Sequence, residues 1–144
     1  MPNLEDFPDF AAFNVALIDE FRNNAGKVTG MFAAAPLVLI TTTGARSGQP
    51  RTAPLVHTRT ASGDVVIIAS KAGAPTHPDW YHNIANDPSV TVELPNETFS
   101  GRARICDEPE RTELYEAQAA LMPNFDEYRS ATTRTIPVVV IERA

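Results

Sequence analysis

Hydrophobic positions along the chain change period several times, and each change marks a new element. Phe10, Phe13, Leu17 and Phe21 recur at helical spacing between Pro8 and Gly26, which predicts an amphipathic helix over about residues 8–24 with an apolar stripe that must cover something. Short β-type runs follow at 37–43, 52–60, 65–70, 90–94, 98–105 and 136–142, about six strands. The turn-rich segments GARSGQP, ASGD and PNE join successive runs as hairpins do, so the sheet is expected to be antiparallel. Pro78 opens a short helix ending near Asn86, before the Asp87-Pro88 break, and Pro109 opens another to about Leu121. Residues 126–131 add a further turn or two. The pattern is α+β: a small antiparallel barrel with helices on its outside and across its mouth.

Composition narrows this picture. The 144 residues, 43% hydrophobic, suit one domain over residues 1–144 with a single core. The start, MPNLEDFPDF, is acidic and aromatic, and residues 31–40 are too few to span a bilayer and include Pro36, so a cytoplasmic chain is expected. Cys106 is the only cysteine, which forbids an intrachain disulfide. A net charge of −6 argues against nucleic acid as the partner, because neutralising phosphates needs a basic surface. Charge is unevenly spread, however. Residues 21–63 hold no acid but hold Arg22, Lys27, Arg46, Arg51 and Arg59, the kind of asymmetry that marks an anion site.

Familiar catalytic sets are missing. His57, His77, His82 and Cys106 have no zinc spacing, so no metal is expected. Ser47 lies beside two arginines with no base to take its proton, and there is neither a P-loop nor a G-x-G-x-x-G. What stands out is TTTGARSGQPRTAPL, residues 41–55. Gly44 and Gly48 allow a turn whose backbone N–H groups face one point, Ser47 adds a hydroxyl, and Arg46 and Arg51 add planar forks that match phosphate or carboxylate oxygens. The bland alternative is a hairpin with both arginines in solvent. Downstream, Pro54 and Val56 share one strand face, and the run 65–70 offers a second apolar wall for a flat ring. Lys71 adds a cation where that run ends. Trp80, Tyr81 and Asn83 follow on the short helix, the aromatics as core or as ligand contacts.

Three motifs in order, T-T-T-G-x-R-S-G-x-P-R-x-x-P-L, then A-S-K-x-G-A-x-x-x-P-x-W-Y-x-N with D-P-x-V, then Y-R-x-x-T-x-R-x-I-P-V-V-V, carry a resemblance. From about Gly30 to the C-terminus the chain resembles the deazaflavin-dependent nitroreductase family of actinobacterial flavin/deazaflavin oxidoreductases. The resemblance implies a split β-barrel and coenzyme F420, an 8-hydroxy-5-deazaflavin with a phosphodiester and a glutamate tail. It implies Arg46, Ser47 and Arg51 on that tail, with Lys71 assisting, and Pro54, Val56, Ile68, Ala69 and Ser70 around the ring. Trp80 and Asn83 would close one side. Met122, Phe125 and Tyr128, spaced by three on one expected helical face, would meet the substrate, with Tyr128 as the one hydrogen-bond donor to a developing oxyanion or else a core aromatic.

The chain departs from its relatives in four places. Ala45 stands where a second basic residue is usual, Val56 where the best-known nitroreductase has an aromatic, and Met122 and Phe125 where tyrosine hydroxyls would be. Quinones, enones or simple nitroaromatics are therefore expected as substrates ahead of bicyclic nitroimidazoles. FMN in the same barrel, or coenzyme carriage without turnover, are the alternatives. The N-terminal helix could cover its own barrel, a neighbouring subunit or a membrane surface carrying a lipid quinone.

Overall fold

A strand that is apolar at every position needs cover on both faces, and two strands here are of that kind. The computed structural model describes residues 10–30 and 33–144, with the backbone alone for 10–13 and 72. Four helices, α1 (Phe10–Asn23), α2 (Asp79–Asn86), α3 (Glu110–Leu121) and α4 (Asn124–Ser130), surround seven strands. These are β1 (Leu37–Thr43), β2 (Pro50–Val56), β3 (Thr58–Arg59), β4 (Val65–Ile68), β5 (Ser89–Leu94), β6 (Glu97–Ile105) and β7 (Val138–Arg143). They form one sheet in the order β2-β1-β5-β6-β7-β4-β3, antiparallel at every pairing.

The two ends of this order are neighbours in sequence. Strand β2 ends at Val56, β3 begins at Thr58, and only His57 lies between them, so the sheet must curl until its edges meet. His57 holds this corner: its backbone N–H donates to Pro36 O at 3.0 Å, and its Nδ1 lies 2.7 Å from the same oxygen. Burial is the main cause lowering its pKa, which favours a neutral ring with the proton on Nδ1. The corner also explains the strand count: the single run expected at 52–60 is two strands, bent at His57. Along 50–56 the β2 backbone pairs only with β1, leaving a half-open barrel with a split beside β2.

Period-two alternation sorts the side chains. Val38, Ile40, Val65, Ile67, Val139 and Ile141 point into the barrel with Val90, Val92 and Trp80. Their sequence neighbours Val66, Ile68, Val138 and Val140 point outward beneath α3 and α4, against Tyr115, Phe125 and Tyr128. Leu37 and Leu39 point outward beneath α1, against Leu17 and Phe21. Full burial of each such aliphatic contributes about 1.5–3 kcal/mol. Thus α1 covers its own barrel through Leu17 and Phe21; the side chains of Phe10 and Phe13, expected on the same stripe, lie outside the described residues. No helix among the described residues is long and apolar enough to cross a membrane.

One helical expectation needs correction. Met122, Phe125 and Tyr128 do not share a continuous helix, because Met122 is the cap of α3 at φ −133° and ψ 87° and Pro123 caps α4. A residue before proline is pushed out of the helical region, and the break falls there.

Candidate active site

The β1–β2 hairpin builds the first wall. Thr43 pairs with Pro50, and the residues between them form a tight turn closed by Gly44 N–H donating to Gln49 O at 2.8 Å and Gly48 N–H to Gly44 O at 2.9 Å. Gly44 is needed sterically: a methyl there would lie 2.6 Å from Ser47 Oγ. Ser47 Oγ accepts from Gln49 N–H at 3.1 Å and from Arg51 Nη2 at 3.4 Å. Ala45 N–H donates to Asn83 Oδ1 at 2.9 Å. The consecutive N–H groups of Arg46 and Ser47 have no partner among the described residues, nor does either Arg46 or Arg51 meet a carboxylate. Two exposed guanidiniums, two free amides and a hydroxyl thus share one bend, the donor set an anion requires.

Beside the bend opens a cleft of about 1140 Å³. All of β2 from Arg51 to Val56 lines it, because β2 is the edge at the split. Ile68 faces it from β4, and Ser70 and Lys71 reach it from the turn after β4. Trp80 and Asn83 come from α2, and Met122, Phe125 and Tyr128 close the top. The structure therefore brings together every residue expected in the site except one. Ala69 is wholly buried inside the barrel, since alternation turns it away from Ile68 and toward Trp80. Charge is concentrated here as well: Arg46, Arg51 and Lys71 line the cleft against a single carboxylate, Asp79, among the described residues. Of the other cations in the acid-free interval, Arg22 is bound to Glu93 and Arg59 to Gly63 O, so the interval is not one zone in space.

Several of these side chains carry two duties. Trp80, 8% exposed, is a barrel core residue that also lines the cleft. Asn83 is buried and braces the β1–β2 turn, since its Nδ2 donates to Thr42 Oγ1 at 3.0 Å while its Oδ1 receives Ala45. Phe125 is mostly core, edge-on to Tyr128 at 5.1 Å between centroids, and Tyr115 Oη donates to its carbonyl at 2.6 Å. Burial pushes the Tyr115 hydroxyl up to about 12, so it keeps its proton for this bond. Asn124 Nδ2 donates to Tyr128 Oη at 2.9 Å and orients the phenol. Cys106 is no nucleophile: burial raises its thiol to about 11.

Sequence reasoning missed Asn124, although its place four residues before Tyr128 on a helix was a usable signal. It also missed Asn14, His82, Leu121 and the 34–36 segment at the mouth, which local pattern does not single out.

Known proteins resemble the chain in sequence and in fold. A model of the F420H(2)-dependent quinone reductase family matches residues 16–143. The chain belongs to that family. It is 35% identical over 128 residues to an F420H(2)-dependent quinone reductase of Mycobacterium tuberculosis strain H37Rv, covering 85% of each chain. A solved F420-H2 dependent reductase, FDR-A, is 37% identical with a TM-score of 0.68, covering 74% of this chain and 94% of that one. A solved domain-swapped dimer is 34% identical with a TM-score of 0.70, over 89% of this chain and 96% of that one. As a family member the protein is an oxidoreductase that depends on coenzyme F420, in a split-barrel fold. The cleft fits that group: the Arg46 and Arg51 guanidiniums, which meet no carboxylate among the described residues, and the amides of residues 46 and 47 suit an acidic tail, and the apolar side chains of Pro54, Val56 and Ile68 suit a ring.

Proposed function

We propose that the cleft seats coenzyme F420 with its acidic tail against Arg46, Ser47 and Arg51, Lys71 assisting, and its ring between β2 and Ile68, and that a quinone is reduced there. The observation that carries this is the pair of arginines without a carboxylate partner at the mouth of the split. When bound in its reduced form, the coenzyme supplies a hydride. Arg46 and Arg51 fix the tail through charge-assisted forks, and the Arg46 and Ser47 amides add two donors to the same anion. Pro54, Val56 and Ile68 keep water from the ring, so that orientation is set by packing. Trp80 closes one side, and Asn83 acts by holding the turn.

A quinone becoming a hydroquinone takes up one hydride equivalent and one proton. In this reading the Tyr128 hydroxyl, which accepts from Asn124, donates to the quinone oxygen on which charge develops. Met122 and the edge of Phe125 give that substrate an apolar roof. Binding is tested by fluorescence titration of the purified protein with coenzyme F420, and turnover by quinone-dependent consumption of the reduced coenzyme. Micromolar binding with turnover is expected. Binding without turnover would make the protein a carrier, a flavin spectrum in the purified protein would move the coenzyme to FMN, and no binding would remove the proposal.

A further inference from the structure

The segment 69–77 presents Ser70 and Lys71 to the cleft, and within it, among the described residues, only one short turn is closed, by Gly73 N–H to Ser70 O at 2.9 Å and Ala74 N–H to Lys71 O at 3.0 Å, with Lys71 Nζ donating to Thr76 Oγ1 at 3.2 Å. Lys71 has a φ of +48°, a conformation that a side chain with a Cβ disfavours unless its surroundings impose it. Gly73 follows at φ +82°, where a methyl would lie 2.9 Å from both Tyr128 O and the Ala131 side chain, so the turn is pressed against the end of α4. What grips it from outside is Arg134, in the stretch leading into β7. Arg134 Nε–H donates to Ala74 O at 2.9 Å, Nη1 to Ala69 O at 3.1 Å and Nη2 to Ser70 O at 2.7 Å. Its Nη1 also lies 2.8 Å from His77 Nδ1. No carboxylate pairs with it among the described residues. A guanidinium offers five N–H groups in a rigid plane, and here they span nine residues of one loop.

We propose that Arg134 is a positioning residue whose guanidinium clasps the 69–77 segment and so holds Ser70 and Lys71 where the coenzyme meets them, with His77 completing the clasp. The inference rests on the coenzyme assignment made above. Because carbonyl dipoles rather than an acid satisfy it, Arg134 also keeps its positive charge beside an anion-binding cleft. For His77 Nδ1 to accept from Arg134, the imidazole must be neutral with its proton on Nε2. The groups facing it are Arg134, Tyr81 at 4.8 Å and His82 at 5.9 Å between ring centroids. Burial first, then Arg134 and His82, lower the His77 pKa. The clasp is therefore intact above the ordinary histidine value and opens as pH falls through the lowered one, where protonation would set two cations against each other.

The test joins hydrogen–deuterium exchange of the free protein with coenzyme F420 titration. Arg134→Gln is expected to speed exchange over residues 69–77 at least tenfold while β1 and β5 keep wild-type rates, and to raise the coenzyme dissociation constant at least tenfold. Arg134→Lys, a single ammonium in place of a fork, should restore less than half of that loss on a logarithmic scale. His77→Gln, whose carbonyl still accepts from Arg134, should bind near wild-type strength at neutral pH but lose the acid-side fall in affinity that wild type shows. Wild-type exchange in 69–77 of Arg134→Gln, or unaltered coenzyme affinity, would overturn the inference. So would faster exchange across the whole sheet, the mark of a residue that only stabilises the fold. Should Arg134→Gln not fold, Arg134→Lys decides by the same criteria. A wild-type protein that does not bind the coenzyme defeats the function proposed above, whereas the exchange comparison still judges the clasp alone.

Discussion

Eight of the ten arginines fall into two sets, while Arg59, held by Gly63 O, and Arg102 lie away from the cleft and belong to neither. On the outside of the barrel Arg22 meets Glu93, Arg104 meets Glu110, Arg111 meets Glu108, Arg129 meets Asp126 and Arg143 meets Glu97. At or beside the cleft, Arg46, Arg51 and Arg134 meet no carboxylate among the described residues. Acids are not scarce, since 18 stand against 12 bases. The difference is therefore local. A paired guanidinium has its field cancelled within a few ångströms, while unpaired ones at the mouth of a low-dielectric cleft add and extend outward. An acidic protein can in this way present a positive entrance to a coenzyme with a negative tail. Within the second set Arg134 differs from the others: the carbonyl oxygens of residues 69, 70 and 74 hold it, whereas the Arg46 and Arg51 guanidiniums meet no carbonyl among the described residues.

The largest expected effect lies with the two ligand-facing arginines. Arg46→Ala and Arg51→Ala should each weaken coenzyme F420 binding by about 1.5–3 kcal/mol, the usual worth of a hydrogen bond to a charged group. The double variant should lose more than either and also lose most of the salt dependence of binding, because the remaining contacts are largely apolar. Titrations at two ionic strengths measure both. Wild-type affinity in the double variant would erase the distinction between the two sets.

A middle-sized effect sharpens the comparison by touching no charge. Asn83→Ala would strip the Ala45 N–H of its partner and leave buried Thr42 Oγ1 with only its long 3.5 Å bond to Arg51 O, and an under-satisfied buried polar group costs about 1–3 kcal/mol of stability. Because Ala45 begins the β1–β2 turn, coenzyme affinity should fall as well, by less than in either arginine variant. Denaturant melts and coenzyme titration follow the two quantities separately. A stability loss with no change in affinity would mean that the turn keeps its shape without the brace.

How much of this was legible in the sequence depends on whether a feature was local. Runs such as Val65 to Ile68 announce strands because both faces are buried, and GARSGQP, ASGD and PNE announce the hairpins that the ladder registers contain. The clamp was legible for the same reason, since Arg46, Ser47 and Arg51 lie within one turn. The bend at His57 was not, because its cause is Pro36 O, supplied by another segment. The family resemblance implied Ala69 at the ring along with Ile68 and Ser70, although alternation alone opposes Ala69 to Ile68. The acid-free interval suggested one basic zone, but chain proximity says nothing of the Glu93 that meets Arg22 from β5. Arg134 stood in a recognised motif, yet its partners are backbone oxygens some sixty residues away, which no side-chain pattern encodes.

The smallest expected effect is the control on which the contrast turns. Arg22 binds Glu93 through two bonds, Nε–H to Oε1 at 2.9 Å and Nη2 to Oε2 at 2.7 Å, fastening α1 to β5. The arginine side chain is 46% exposed, so water screens the pair, and loss of such a pair costs at most about 1 kcal/mol. Arg22→Ala should therefore lower the melting temperature by a few degrees at most, about what 1 kcal/mol does to a domain of this size. It removes the same unit of charge as Arg46→Ala, from the same acid-free interval of sequence. If net charge drew in the coenzyme, the two variants would weaken binding alike. If the local field of unpaired cations does so, Arg22→Ala should bind within about twofold of wild type, because its guanidinium was already neutralised by Glu93.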